Sequence, residues 1–196
     1  MATPDAHPAH LARHGETEWS RSGRHTGRTD LPLTPAGEDA ARRLGERLRG
    51  RAFALVLSSP LIRAWNTCEL AGFGGAAERD ADLMEWDYGT YDGRTTADIK
   101  AENPAWDLFR DGCPEGESAA SVASRADRVI ARLRSAGGPT LVFSSAHLLR
   151  VLAARWCGQE PSFSRFLLLD TGSLSVLGYA HNSRREPAIQ VWNGVS

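Results

Sequence analysis

The 196-residue sequence predicts an α/β fold: a three-layer α/β/α sandwich on a mainly parallel sheet, one domain over residues 9–196 behind a flexible tail at 1–8. Three observations predict it. Apolar runs of strand length alternate with amphipathic stretches of helical period, the order that sets parallel strands side by side with helices on both faces. No repeat or low-complexity linker divides the chain. A length of 196 residues with 41% apolar content is enough for one ordinary core.

The elements follow in order. "AHLA" is a weak strand signal that ends at Arg13. In "LTPAGEDAARRLGERLRG", Thr34 can cap a helix, Pro35 suits a first turn that needs no N–H from it, Ala40, Ala41, Leu44 and Leu48 share a face, and Gly50 ends the run. "FALVLSS" reads as a strand, with Pro60 opening the helix "LIRAWNTCELA". After the loop "RDGCPEGES", Ser118 caps a long helix whose buried stripe is Val122, Ala126, Val129, Ile130 and Leu133, stopped at Gly137. "TLVFSS" is a buried strand, and "HLLRVLAARW" a helix burying Leu148, Leu152 and Trp156. "FLLLD" and "SLSVLGYA" read as closing strands, with "IQVWN" as an edge.

Composition excludes several functions. A net charge of −1 gives no global field for nucleic acid or an anionic membrane, so anion binding has to be local. The N-terminus "MATPDAHPAH" has neither a basic start nor an apolar run, and no segment approaches the roughly 18 apolar residues of a membrane span. Cys68, Cys113 and Cys157 are odd in number, with no C-x-x-C pair, which argues against a disulfide framework or thiolate metal site and for a reducing cytoplasmic location. "HGETE" lacks the H-E-x-x-H spacing, so neither a metal nor another cofactor is expected.

In open α/β sheets ligands bind beyond the carboxyl ends of strands, and three strand-to-helix transitions carry polar residues. They hold Arg13 and His14; Ser58, Ser59 and Arg63; and Ser144, Ser145 and His147. The planar fork of arginine binds phosphate through paired charge-assisted hydrogen bonds, and helix N-termini add N–H groups aimed at the same anion. Beside two guanidinium groups an imidazole is disfavoured as a cation, so His14 is a candidate nucleophile toward phosphorus.

Five segments in order, "RHGETEWS", "GRHTGRTDLPLTPAGEDAARRL", "SSPLIRAWNT", "LMEWDYGTYDG" and "SSAHLLRVLAARW", resemble the histidine phosphatase superfamily, also called phosphoglycerate mutase-like or acid phosphatase-like. The likeness runs from about residue 10 to about residue 180. It implies a phosphohistidine mechanism in which His14 accepts the phosphoryl group, Arg13 and Arg63 hold its oxygens, and Glu85 gives a proton to the leaving oxygen. Asp80, Asp82, Asp87 and Asp92 are neighbouring acids that compete for the Glu85 assignment. Ser20, in the first segment, is a further phosphate contact.

One departure stands out. Similar sequences read roughly "FSHGHFLRVLAARW", and aligned on Arg150 this chain has Ser145 for the first histidine and Ala146 for the glycine. Loss of a cationic donor at a reacting oxygen costs on the order of 10² to 10³ in rate. Either His147 substitutes, or Ser145 donates a weaker neutral bond, or the pocket serves another reaction. Within "RSGRHTGR", Arg21, Arg24, His25 and Arg28 form a solvated loop or a guide for anions; Arg24 and His25, with Trp86 beside Glu85, are the substrate-pocket candidates.

The function expected is hydrolysis of a small phosphorylated metabolite, attenuated at Ser145, by a protein without nucleic-acid or membrane partners, for which a homodimer is compatible. The alternatives are an impaired phosphate-binding protein and a repurposed biosynthetic enzyme using Glu85 and His147 on a non-phosphorylated substrate. Mutase activity is less attractive, because the short "RDGCPEGES" loop offers no element to retain an intermediate.

Overall fold

A computed structural model describes residues 6–195. Six strands form one mixed sheet in the order β3-β2-β4-β1-β5-β6. These are β1 (Ala9–Arg13), β2 (Leu55–Ser58), β3 (Ala77–Arg79), β4 (Thr140–Ser144), β5 (Leu174–Tyr179) and β6 (Pro187–Gly194). β1, β4, β2 and β3 are parallel, whereas β5 and β6 add an antiparallel edge.

Strand alternation sorts the core into two layers. Ala12, Val56, Leu141 and Phe143 face α2 (Pro35–Leu48) and α3 (Ile62–Leu70), which contribute Leu44, Leu48 and Cys68. Leu11, Leu57 and Val142 face the other way, onto α6 (Ala119–Ser135) and α7 (Ala146–Trp156), whose Val122, Val129, Leu148 and Leu152 close that layer. The three-layer expectation therefore holds, as do the caps: Thr34 Oγ1 accepts from Gly37 N at 3.1 Å and Ser118 Oγ from Ser121 N at 3.2 Å.

One expectation needs correction, and two segments add to the sequence reading. "FLLLD" is not a strand: Pro161–Phe166 is 3₁₀-helical and residues 167–170 are irregular, because this segment wraps α7 and carries Leu169 to the site rather than pairing with a strand. The short helices α1 (Glu18–Ser22), α4 (Thr96–Glu102) and α5 (Leu108–Asp111), like β3, were too brief for periodicity to mark. Of the expected tail, residues 1–5 lie outside the described residues, while Ala6 packs on the core and the Pro8 carbonyl accepts from Thr140 N at 3.1 Å. Among the described residues no helix is long and apolar enough to cross a membrane.

Register is what positions the site. Arg13 lies opposite Ser144, and Ser58 opposite Phe143, so three parallel strands end at one level and release their following residues at one edge. The loop after β1 then presses against the first turn of α2. A Cβ on Gly15 would strike the Gly37 carbonyl, and one on Gly37 would strike the Glu16 backbone. Gly37→Ala is predicted to cost about 1–3 kcal/mol through overpacking in urea denaturation, with the His14 loop displaced; an unchanged midpoint would refute this close approach.

Candidate active site

β1 carries His14 to the edge, where its N–H donates to Ser144 O at 2.9 Å. The next residue is tied to α3: Gly15 N donates to Thr67 Oγ1 at 3.0 Å, and that hydroxyl donates to Arg63 O at 2.7 Å. The His14 ring is buried, with Nδ1 2.7 Å from Gly15 O. A carbonyl can only accept, so Nδ1 carries the proton and Nε2 keeps its lone pair toward the cavity that His14 lines. Burial first, then the charges of Arg13 and Arg63, hold the ring well below the ordinary histidine range, which keeps it neutral.

Arg63 is completely buried and held by carbonyls: Nη1 donates to Thr29 O at 3.0 Å, and Nη2 to Thr26 O and Gly27 O at 2.9 Å each. Arg13 Nη1 donates to Leu169 O. Neither guanidinium makes an ion pair among the described residues, and burial lowers the pKa of both. Arg13 Nε, Arg63 Nε and Ser145 Oγ are buried with no hydrogen-bond partner among the described residues. Of the three residues, Arg13 lines the cavity that holds His14, whereas Arg63 and Ser145 lie behind its walls and are not among its lining residues.

Glu85 is buried and accepts three backbone N–H groups: Trp86 N at 2.9 Å, Leu148 N at 2.9 Å and His147 N at 3.0 Å. Its carboxyl oxygens thereby cap α7, which Ser145 does not cap with its side chain. His147 Nδ1 lies 2.6 Å from the Tyr88 hydroxyl and 4.0 Å from Glu85 Oε2. Burial, then Arg150, His25 and Arg13, hold this ring too well below the ordinary range.

A cavity of about 320 Å³ brings Arg13, His14, Glu85, His147, Arg24 and His25 together. The competing acids are occupied elsewhere. Asp80 and Asp82 pair with Arg132 and Arg128, Asp87 with Arg28, and Asp92 binds Gly27 N and Thr29. Arg21 pairs with Glu18 in solvent, leaving Arg24 and His25 as the members of the basic run that reach the cavity.

Two assignments are corrected by geometry. Trp86 does not line the cavity: it is fully buried, donating Nε1–H to Glu117 O at 2.9 Å, because the chain turns inward directly after Glu85. Ser20 lines the cavity, yet its hydroxyl is committed to the α1 capping box, donating to Thr17 O at 3.0 Å and accepting from Thr17 N at 2.8 Å. Sequence reasoning missed Tyr88, Arg150 and Asp170, which also line it. Arg150 was legible from its i+3 spacing to His147 on one helix face; Asp170 was hidden by the strand reading of its segment.

The sequence model of the histidine phosphatase superfamily (branch 1) matches residues 9–193. The chain is 36% identical to an acid phosphatase of Mycobacterium tuberculosis, over 89% of this chain and 88% of that one. It is 32% identical to sedoheptulose 1,7-bisphosphatase of Saccharomyces cerevisiae, over 92% and 90%. Among solved structures it is similar to an open-reading-frame product of Mycobacterium tuberculosis, with a TM-score of 0.89 and 34% identity over 95% of this chain and 97% of that chain. It is also similar to a mycobacterial glucosyl-3-phosphoglycerate phosphatase, with a TM-score of 0.85 and 26% identity over 97% and 100%.

A pH prediction follows from the neutral imidazole. With the folded pKa of His14 below the ordinary 6.5, the unfolded chain binds more protons in between, so stability is complete above about pH 6.5 and falls as pH drops. His14 alone contributes a slope of up to about 1.4 kcal/mol per pH unit. Urea denaturation of His14→Asn between pH 6.5 and 5 should show a slope reduced by that amount; an unaltered slope would mean that the ring is not held neutral.

Proposed function

The chain belongs to the histidine phosphatase superfamily, and on that premise we propose that it hydrolyses a small phosphate monoester through a phosphohistidine on His14, without a metal. The observation carrying this reading is the set of unpartnered buried donors, Arg13 Nε, Arg63 Nε and Ser145 Oγ, beside an imidazole whose Nε2 is unprotonated. An oxyanion supplies what the donors lack.

In the first step the Nε2 lone pair forms a bond to phosphorus as the ester P–O bond breaks, and the departing oxygen takes a proton from Glu85. The resulting carboxylate then removes a proton from water. The water oxygen attacks phosphorus, the P–N bond breaks, and phosphate leaves with the imidazole restored. The charge on the phosphoryl oxygens is held by two guanidinium groups that need no reorganisation, since backbone carbonyls already fix Arg13 and Arg63. Arg24, on the open side, draws the anion in. The relatives' printed activities, an acid phosphatase and a sugar bisphosphatase among them, support phosphate-ester chemistry for this chain as well.

Ser145 attenuates rather than abolishes the reaction. His147 does not replace the missing cation, because it is neutral and engaged by Tyr88. A neutral Ser145 hydroxyl takes the place.

Two measurements test this. Wild type should release p-nitrophenol from p-nitrophenyl phosphate with no loss on chelator treatment, and His14→Ala should be slower by at least about 10³; equal rates in the two proteins would eliminate the nucleophile. Ser145→His should raise kcat by on the order of 10² if the pocket still accepts a cationic donor. Phosphate binding without any turnover would favour an anion-binding protein instead.

A further inference from the structure

Two consecutive residues near the end of β6 reach across to the segment that brings Leu168, Leu169 and Asp170 to the cavity wall. Trp192 Nε1 donates to Leu168 O at 2.6 Å. Asn193 holds Asp170 at two points: its Oδ1 accepts from Asp170 N at 2.7 Å, and its Nδ2 donates to Asp170 Oδ2 at 2.8 Å. These partners fix the orientation of the amide, since a main-chain N–H needs the oxygen and a carboxylate needs the N–H. Between the two anchors lies Leu169, whose carbonyl accepts from Arg13 Nη1.

The backbone bends to make this reach. Leu174 of β5 pairs with Gly194 and Val176 with Val191, so Ser175 faces both Trp192 and Asn193 across a β-bulge. Asn193 sits there with φ at 54°, in the left-handed region that asparagine tolerates better than most residues, and its N–H donates to the buried Ser175 Oγ at 3.0 Å. Bulges beside active sites re-aim side chains, and this one aims Asn193 at Asp170.

What the Asn193 amide controls is narrow. The main chain of Asp170 has other ties: Ser173 N and Oγ donate to Asp170 O at 3.3 and 2.6 Å. The same segment is joined to β1 by Gly172 N donating to His14 O at 3.0 Å and Arg13 N to Ser173 O at 3.1 Å. The Nδ2 bond therefore sets the direction of the carboxylate. Asp170 and Arg13 line the same cavity. Burial lowers the Arg13 pKa, and the charges of Glu85, Tyr88 and Asp170 act against that, yet the guanidinium makes no ion pair among the described residues. A carboxylate turned onto it would form a charge-assisted pair and occupy the positive charge that an anion needs.

Resting on the phosphatase reading above, we propose that Asn193 is a positioning residue that holds the Asp170 carboxylate away from Arg13 and so keeps that guanidinium free for the phosphoryl group. Asp170 is a competitor built into the cavity wall, and the bulged end of β6 restrains it. Apparent phosphate affinity falls in proportion to the fraction of molecules in which Arg13 is taken.

Calorimetric binding of inorganic phosphate, with kinetics on p-nitrophenyl phosphate, tests this. Asn193→Gly keeps the left-handed backbone and removes the amide. It should weaken phosphate binding about five- to tenfold and raise KM by a similar factor, with kcat changed less than about twofold, because saturating substrate displaces an intramolecular competitor. In an Asp170→Asn background the same change should weaken phosphate by less than about twofold. The exchange of Asp170→Asn together with Asn193→Asp restores a donor and an acceptor with the charge moved onto β6, and should bind phosphate at least about fivefold tighter than Asn193→Asp alone. A loss of equal size in both backgrounds, or one confined to kcat, would show that the amide merely supports the segment and would overturn the proposal. Unchanged phosphate affinity in Asn193→Gly would overturn it as well. Wild type that binds phosphate but cleaves no ester defeats the reaction alone, and the phosphate measurements still decide the role of Asn193. Wild type without affinity for phosphate defeats the anion site and this proposal together.

Discussion

Two buried guanidinium groups, without carboxylate partners among the described residues, are the constraint on which this molecule is arranged. An unpaired charge inside a protein is expensive, and uncharged dipoles offset the cost only when several converge. Around Arg63 they do. The carbonyls of Thr26, Gly27 and Thr29 point at its two terminal nitrogens, and the loop bearing them is itself pinned by Asp92, which accepts from Gly27 N at 2.7 Å and Thr29 N at 3.1 Å. The positive charge is fixed but not neutralised. Its Nε, like that of Arg13, has no hydrogen-bond partner among the described residues, and under the proposed function an oxyanion beside His14 would complete the arrangement.

Glu85 links that centre to the rest of the fold. Its carboxylate sits at the start of α7, where the first N–H groups of any helix lack partners, and so ties the loop after β3 to the helix that presents Ser145 and His147. Glu85 and the helix start are therefore tied to one another. The start of α7 is seated by Glu85 and by the buried faces of Leu148, Leu149 and Leu152, and the Ser145 side chain caps nothing there.

The long elements were legible because each carried a period and a stop. Pro35 to Leu48 and Ala119 to Ser135 have caps and one-sided apolar stripes, and the run into Ser144 is buried throughout. The transitions after them located Arg13, His14 and Arg63 by topology alone. What escaped has a common physical cause. The segment after α7 is apolar without being a strand, since Phe166 and Leu168 are exposed while Leu169 turns in, and composition cannot distinguish that from a pairing edge. Trp86 adjoins Glu85 in sequence but turns into the core beside Phe109 and Glu117 instead of into the cavity, because side-chain direction depends on backbone torsions that spacing does not encode. Tyr88 was invisible for the same reason: its role depends on one hydrogen bond to a residue 59 positions away.

The most direct test of the unsatisfied-donor account is a crystal structure of the protein with vanadate. The account predicts vanadium bonded to His14 Nε2, with its oxygens within hydrogen-bonding distance of Arg13 Nε, Arg63 Nε and Ser145 Oγ. Vanadate bound elsewhere with those three donors still unpartnered, or seated on His14 with its oxygens turned away from both arginines, would contradict it.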